Sequence, residues 1–170
     1  MKLVKFLDQK GTVLVSDPLN QTILKNLVMS EYSISELSAK LNLPTLKLWR
    51  RMQALLKANL VELCRTVKIG NIEKKLYRAT ATGYVPQQYF DFKPKDANLQ
   101  EAFKIYSDIQ KRIMLRLAAF GDVPKEADPV DFALFANMQA FTQTCVETAT
   151  HAKLAELEKK LAEYHLHNHH

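Results

Sequence analysis

A chain of 170 residues, 47% apolar and 25% charged, has the make-up of one globular domain or of a small domain with an appended element. No apolar run approaches the roughly 20 residues of a membrane span, and Cys64 and Cys145 lie too far apart for a CxxC metal site or a disulfide framework, so buried free thiols are expected. Only four glycines point to a largely helical chain, and the net charge of +6 is modest, so its placement along the chain matters more than its size.

The opening stretch "MKLVKFLDQKGTVLVSD" mixes apolar residues with acids and a glycine before any export segment can form, and a cytoplasmic location is expected. The first clear element is "SDPLNQTILKNLVM". Ser16 or Asp17 caps a helix, Pro18 suits its first position, and Leu19, Ile23, Leu24 and Leu27 recur at helical spacing. In "SISELSAKLNLP", Ser33 and Glu36 form a capping box; Asn42 and Pro44 end the helix, and Thr45 is placed to cap the next. Two short helices joined by a tight turn make a helix-turn-helix.

The second of the pair lies in "LPTLKLWRRMQALLKANLVEL", about residues 45–57. Leu48, Trp49, Met52, Leu55 and Leu56 fall within an arc of about 120°, the width of a core-facing stripe. Lys47, Arg50 and Arg51 fall opposite, with Leu46 at the margin. Beyond Leu60 the period changes to alternation: "VELCRTVK" and "EKKLYRAT" read as a hairpin turning at Gly70-Asn71, a wing over about residues 61–80 with Lys68, Lys74 and Lys75 near its tip. From Leu43 to Arg78 the chain has nine cations against two acids, Glu62 and Glu73. From Asp128 onward the balance is three lysines against six acids. A basic patch beside an acidic remainder is the footprint of a nucleic-acid surface.

"ATATGYVPQQYFDFKPKD" reads as a linker whose aromatics (Tyr84, Tyr89, Phe90, Phe92) pack on the back of the domain. A helix follows from near Asp96 to Phe120, ended by Gly121, with Ile109, Ile113 and Leu117 on its apolar side. Asp128-Pro129 restarts a helix that meets no breaker before the His-rich tail. At about 1.5 Å per residue, its roughly 35 residues span over 50 Å. Phe135, Met138, Phe141, Thr142, Cys145, Ala149, Leu154, Leu157 and Leu161 mark a seam on it. So long a stripe cannot be covered by its own domain, and a homodimer is the economical solution.

Taken in order, "SDPLNQTILKNL", "SISELSAKLNLP", "MQALLKANLVEL" and "KKLYRATATG" resemble the winged helix-turn-helix of ArsR-like transcriptional regulators, especially their archaeal branch. The resemblance covers residues 16 to 80, under half of the chain. It implies a homodimer that sets one recognition helix per major groove and wings on the flanking backbone, with Thr45, Leu46, Lys47 and Arg50 at base-edge positions. Trp49 stands where the family has a small or polar residue. The paired cysteines of metal-sensing members are missing from "SELSAKLN", and metal sensing by that route is not expected.

The fold expected is therefore mainly α with a small β-hairpin wing: residues 1–85 a winged helix-turn-helix, 86–97 a linker, and 98–170 C-terminal dimerisation helices. The function expected is a sequence-specific regulator of double-stranded DNA. Arg50 and Lys47 read bases, since arginine pairs bidentately with guanine, and Leu46 meets a thymine methyl. Arg51, Lys68, Asn71, Lys74 and Lys75 serve as further contacts, chiefly to the backbone. Phe135, Met138, Thr142, Cys145, Leu157 and Leu161 form the dimer interface. An architectural or protein-binding winged helix is the alternative. No phosphate loop, nucleophile elbow or HExxH points to an enzyme, and no cofactor is expected. His165, His167, His169 and His170 crowd the tail but are not read as a native metal site. The aromatic group of Phe132, Phe135 and Phe141 leaves an effector pocket open; the effector itself is unknown.

Overall fold

The computed structural model describes residues 1–168. Among these residues, seven helices and two small two-stranded sheets divide into two compact units, one of Met1–Gln87 with Asp122–Ala133, the other of Gln88–Gly121 with 134–168.

In the first unit, β1 (Lys2–Leu7) leads into α1 (Gln9–Ser16), which Asp8 caps by accepting from the Gly11 amide. Neither element was anticipated. The partner of β1 is β4 (Ala81–Pro86), which pairs with it in parallel, Lys2 opposite Ala81 and Leu7 opposite Pro86. Residues 81–86 are thus a strand, and only a 3-10 turn at Gln87–Phe90 and a short irregular run separate it from the next helix. Tyr84 packs against the core, as expected, and its hydroxyl donates to the Leu60 carbonyl at 2.7 Å.

The helix-turn-helix follows the sequence closely. Asp17, not Ser16, caps α2 (Pro18–Met29), accepting from the amides of Leu19 and Asn20. Ser33 and Glu36 close the capping box of α3 (Ile34–Leu41), and Asn42 leaves it in the left-handed region at φ 50°. The third helix, α4, spans Thr45–Lys57. Its start carries no side-chain cap, so Thr45 does not play the part expected of it. The Ser38 hydroxyl donates to the Leu43 carbonyl, so the 3.0 Å bond between Ser38 and Thr45 has Thr45 as donor, and the hydroxyl holds the turn instead.

Leu48, Met52 and Leu55 of α4 are fully buried with Ile23, Leu27 and Leu37 from the other two helices. At about 25 cal/mol per Å² of apolar surface removed from water, such side chains stabilise by roughly 1.5–3 kcal/mol each. Trp49, expected within this stripe, is instead 39% exposed at its edge. The chain then turns at Asn59 (φ 56°) into the hairpin β2 (Val61–Ile69) and β3 (Ile72–Ala79), with Gly70 taking the bend at φ +59°. These elements make the first unit a winged helix-turn-helix.

In the second unit, α5 (Ala97–Ala119) starts at its Asp96 cap and ends before Gly121, φ +76°. The long C-terminal helix is not one helix. It breaks at Val146-Glu147 into α6 (Pro129–Cys145) and α7 (Thr148–Asn168). The first α7 amides bond back to the Glu147 carbonyl, while the Glu147 carboxylate pairs with Arg112 and Arg116 of α5. Further on, α7 lies along α5, tied by Lys153–Asp108 at 2.7 Å and Lys160–Glu101 at 2.5 Å. Of the stripe expected on it, Leu154 and Leu161 stay exposed and Leu157 is half-buried, so α7 uses polar pairs to α5 and leaves much of that stripe open. His169 and His170 of the tail lie outside the described residues. Both cysteines are free and half-buried, not fully buried as expected.

Candidate nucleic-acid interface

The nine cations of the basic segment divide sharply. Four are held by carboxylates. Arg51 pairs with Asp17 at 2.5 Å and also bonds the Asn20 side chain at 3.3 Å. Arg65 reaches Glu31 at 2.7 Å, Arg78 reaches Glu62 at 2.6 Å, and Lys74 pairs with Glu36. The other five, Lys47, Arg50, Lys57, Lys68 and Lys75, are exposed and have no carboxylate within 4 Å among the described residues.

This division follows from where each sits. On α4, Arg50 and Lys57 lie opposite the buried stripe, so nothing in the unit reaches them. Arg51, one residue further round, leans toward the start of α2. There Asp17 both caps that helix and accepts from the guanidinium, so its carboxyl is held below the usual range, chiefly by Arg51. Arg51 was expected on the open face; it is half-buried and fastens α4 to α2 instead. Asn20 completes the joint: itself buried, it donates to the Leu14 carbonyl at 2.9 Å.

Glu36 makes a similar double contact. It accepts from the Ser33 amide and hydroxyl and from Lys74, and these bonds, that of Lys74 foremost, bring its carboxyl down to about 2. Lys74, expected at the DNA backbone, here braces the hairpin against α3.

The exposed face of α4 holds more than cations. Leu46 is 62% exposed, and Trp49 and Gln53 stand beside Arg50 on the same side. Leu46, Trp49, Arg50 and Gln53 share the three- and four-residue spacing of one helical stripe. Gln53 was passed over in the sequence because a lone glutamine carries no charge signal, yet its amide suits an adenine edge. A hollow of about 540 Å³ runs beside this face, walled by Lys47, Arg50 and Arg51 on α4 and by Leu14 and Asn20 opposite.

On the hairpin, Lys68 stands opposite Glu73 and Lys75 opposite Thr66, both lysines exposed, with Asn71 at the tip. The expected contact residues thus form two groups. Leu46, Lys47, Arg50, Lys68, Asn71 and Lys75 are open to a ligand, whereas Thr45, Arg51 and Lys74 are engaged within the fold.

The residues expected at a dimer interface also divide. On α6, Phe135 and Met138 are half exposed and Thr142 is exposed, while Cys145 is half-buried. Phe141, Leu134 and Val146 extend this apolar face. The opposite side of α6 buries the small residues Ala136, Ala140 and Thr144. On α7, Leu157 is half-buried and Leu161 is 46% exposed.

No protein-family model matches the chain, and no curated protein matches it. Among solved structures it is similar to PadR of Bacillus subtilis in its crystal structure with operator DNA. The identity is 15% and the TM-score 0.36, over 82% of this chain and 98% of that one. A likeness at that level carries no argument. The class assigned here, winged helix-turn-helix, rests on the chain's own elements.

Proposed function

We propose that the chain is a sequence-specific, double-stranded DNA-binding transcriptional regulator that acts as a homodimer, in the manner of the ArsR-like regulators of the archaeal branch. The observation that carries the reading is the set of five uncompensated cations on α4 and the hairpin. A fold that neutralises four cations of the segment with its own acids and leaves these five open has surface charge to spare for a polyanion.

In this reading α4 enters the major groove, where Arg50 takes a guanine edge and Leu46 a thymine methyl. Lys47 is the second base-reading residue, and Lys68 and Lys75 lie on phosphates, which position the protein without specifying sequence. Arg51 and Lys74 act indirectly, by fixing α4 and the hairpin to the rest of the motif. Residues 1–85 serve as the DNA-binding part and 98–170 as the dimerising part, joined by 86–97. The apolar face of α6, with Leu134, Met138, Phe141 and Cys145 at alternating four- and three-residue steps, supports a symmetric contact with a second copy. The protein works without a cofactor or catalysis, in the cytoplasm; no helix among the described residues is long and apolar enough to cross a membrane.

The test is a selection of bound duplexes from a random pool, followed by binding of Arg50→Ala and Lys75→Ala to selected and scrambled DNA. Arg50→Ala is expected to weaken the selected site by about 1–3 kcal/mol and to relax one base pair. Lys75→Ala is expected to weaken both duplexes alike. A featureless selection would overturn the sequence-specific reading.

A further inference from the structure

We infer that the hairpin tip drives Ile69 and Ile72 into the minor groove of the bound duplex as an apolar wedge that partly unstacks a base step. This rests on the DNA-binding reading above and adds to it a contact that is neither phosphate nor major groove.

The two isoleucines are the anomaly of the hairpin. They are 59% and 73% exposed, although they flank a turn that polar residues would close as well. They are direct partners across the strands, so both side chains stand on one face, side by side. Gly70 between them takes the turn at φ +59°, and a Cβ built there would meet nothing within 4 Å, so the tip is narrow and open. Further down the same face Val67 and Lys74 are half-buried, and Lys74 is anchored on Glu36 of α3. The wedge therefore sits on a braced stem. The other face offers the exposed Lys68 and Lys75.

An apolar pair at the apex with cations beside it has the composition of proteins that pry open base steps from the minor groove, where apolar side chains enter the stack while cations hold the flanking strands. Charge complementarity favours a duplex, because the same compact unit exposes Lys47, Arg50 and Lys57 on α4. A bilayer suits the tip less well: two isoleucine side chains carry fewer carbons than one myristoyl chain, which alone binds only marginally.

The experiment uses the full chain and its selected duplex, with 2-aminopurine placed in turn at each position flanking the α4 contact. Wild-type protein should raise the fluorescence at one step, and Ile69→Ser/Ile72→Ser should abolish that rise while binding about tenfold more weakly. Ile69→Val/Ile72→Val should keep the rise, and the dependence of affinity on salt should be equal in all three. If the serine variant binds as tightly as wild type, or no position brightens while Arg50→Ala still loses binding, the wedge is overturned and the regulator reading stands. If wild type binds no duplex, both fall. If wild type sediments with anionic vesicles and the serine variant does not, the tip's partner is lipid and the wedge falls again.

Discussion

Glu36 shows how far one carboxylate can reach. It closes the capping box of α3 and holds Lys74 of the hairpin, and its carboxyl lies near 2 rather than the ordinary value of 4.5. A group whose pKa is depressed by folding contributes stability that is complete above its unfolded value and is lost as pH falls toward its folded one. Acid should therefore destabilise the wild type between about pH 4.5 and 2, and Glu36→Gln should flatten that dependence, read as urea midpoints at stepped pH. An unchanged slope would mean that Glu36 makes no net contribution. Only half of this was legible in the sequence. Ser33 and Glu36 are three residues apart and announce the box, whereas Lys74 is 38 positions from Glu36 and nothing local reports their meeting. The same holds for Arg51: helical periodicity places it on the polar side of α4, but only the fold reveals Asp17 beside it. Gln53 lacks any local signal, and its value comes from standing in line with Arg50.

Elements defined by local chemistry were legible: the helix starts near Asp17 and Asp96, the ends at Asn42 and Gly121 and the turn at Gly70 follow from residue type, although Ser16 competed with Asp17 for the first cap and Thr45 caps nothing. Elements defined by remote partners were missed. The strand β1 is short and mixed, and it exists because β4, almost 80 residues later, pairs with it. The break between α6 and α7 contains neither glycine nor proline, and at it Glu147 pairs with two arginines of α5, a meeting that no local signal reports. That break changes what α6 is for. With α7 folded onto α5, the exposed Phe135, Met138 and Phe141 form a patch on a single helix of 17 residues. Met138→Glu/Phe141→Glu should yield a monomer in sedimentation equilibrium while the helical content stays constant. If the wild type is itself monomeric, the dimer proposal fails.

For the whole molecule, the division between held and open cations predicts a number. Duplex affinity falls with salt at a logarithmic slope of about −0.9 for each phosphate neutralised. The five open cations of the basic segment would give a slope of roughly −4.5 per protomer, whereas all nine of that segment would give about −8. Binding isotherms at stepped salt on the selected duplex decide between them, and a slope near the larger figure would mean that Arg51, Arg65, Lys74 and Arg78 leave their acids on binding. Composition alone could not distinguish these cases, because net charge counts cations without regard to which acids already face them.

The fold-back of α7 also decides what happens if the chain is shortened. A dimer stem formed by one straight rod would tolerate trimming from its free end, losing affinity for its twin turn by turn. Here a stop codon after Val146 removes the helix that packs along α5 and deletes the partners of Asp108 and Glu101. Such a truncated product should lose its helical unit outright and collect in the insoluble fraction, so the last twenty-odd residues act as a lid on a core rather than as a handle.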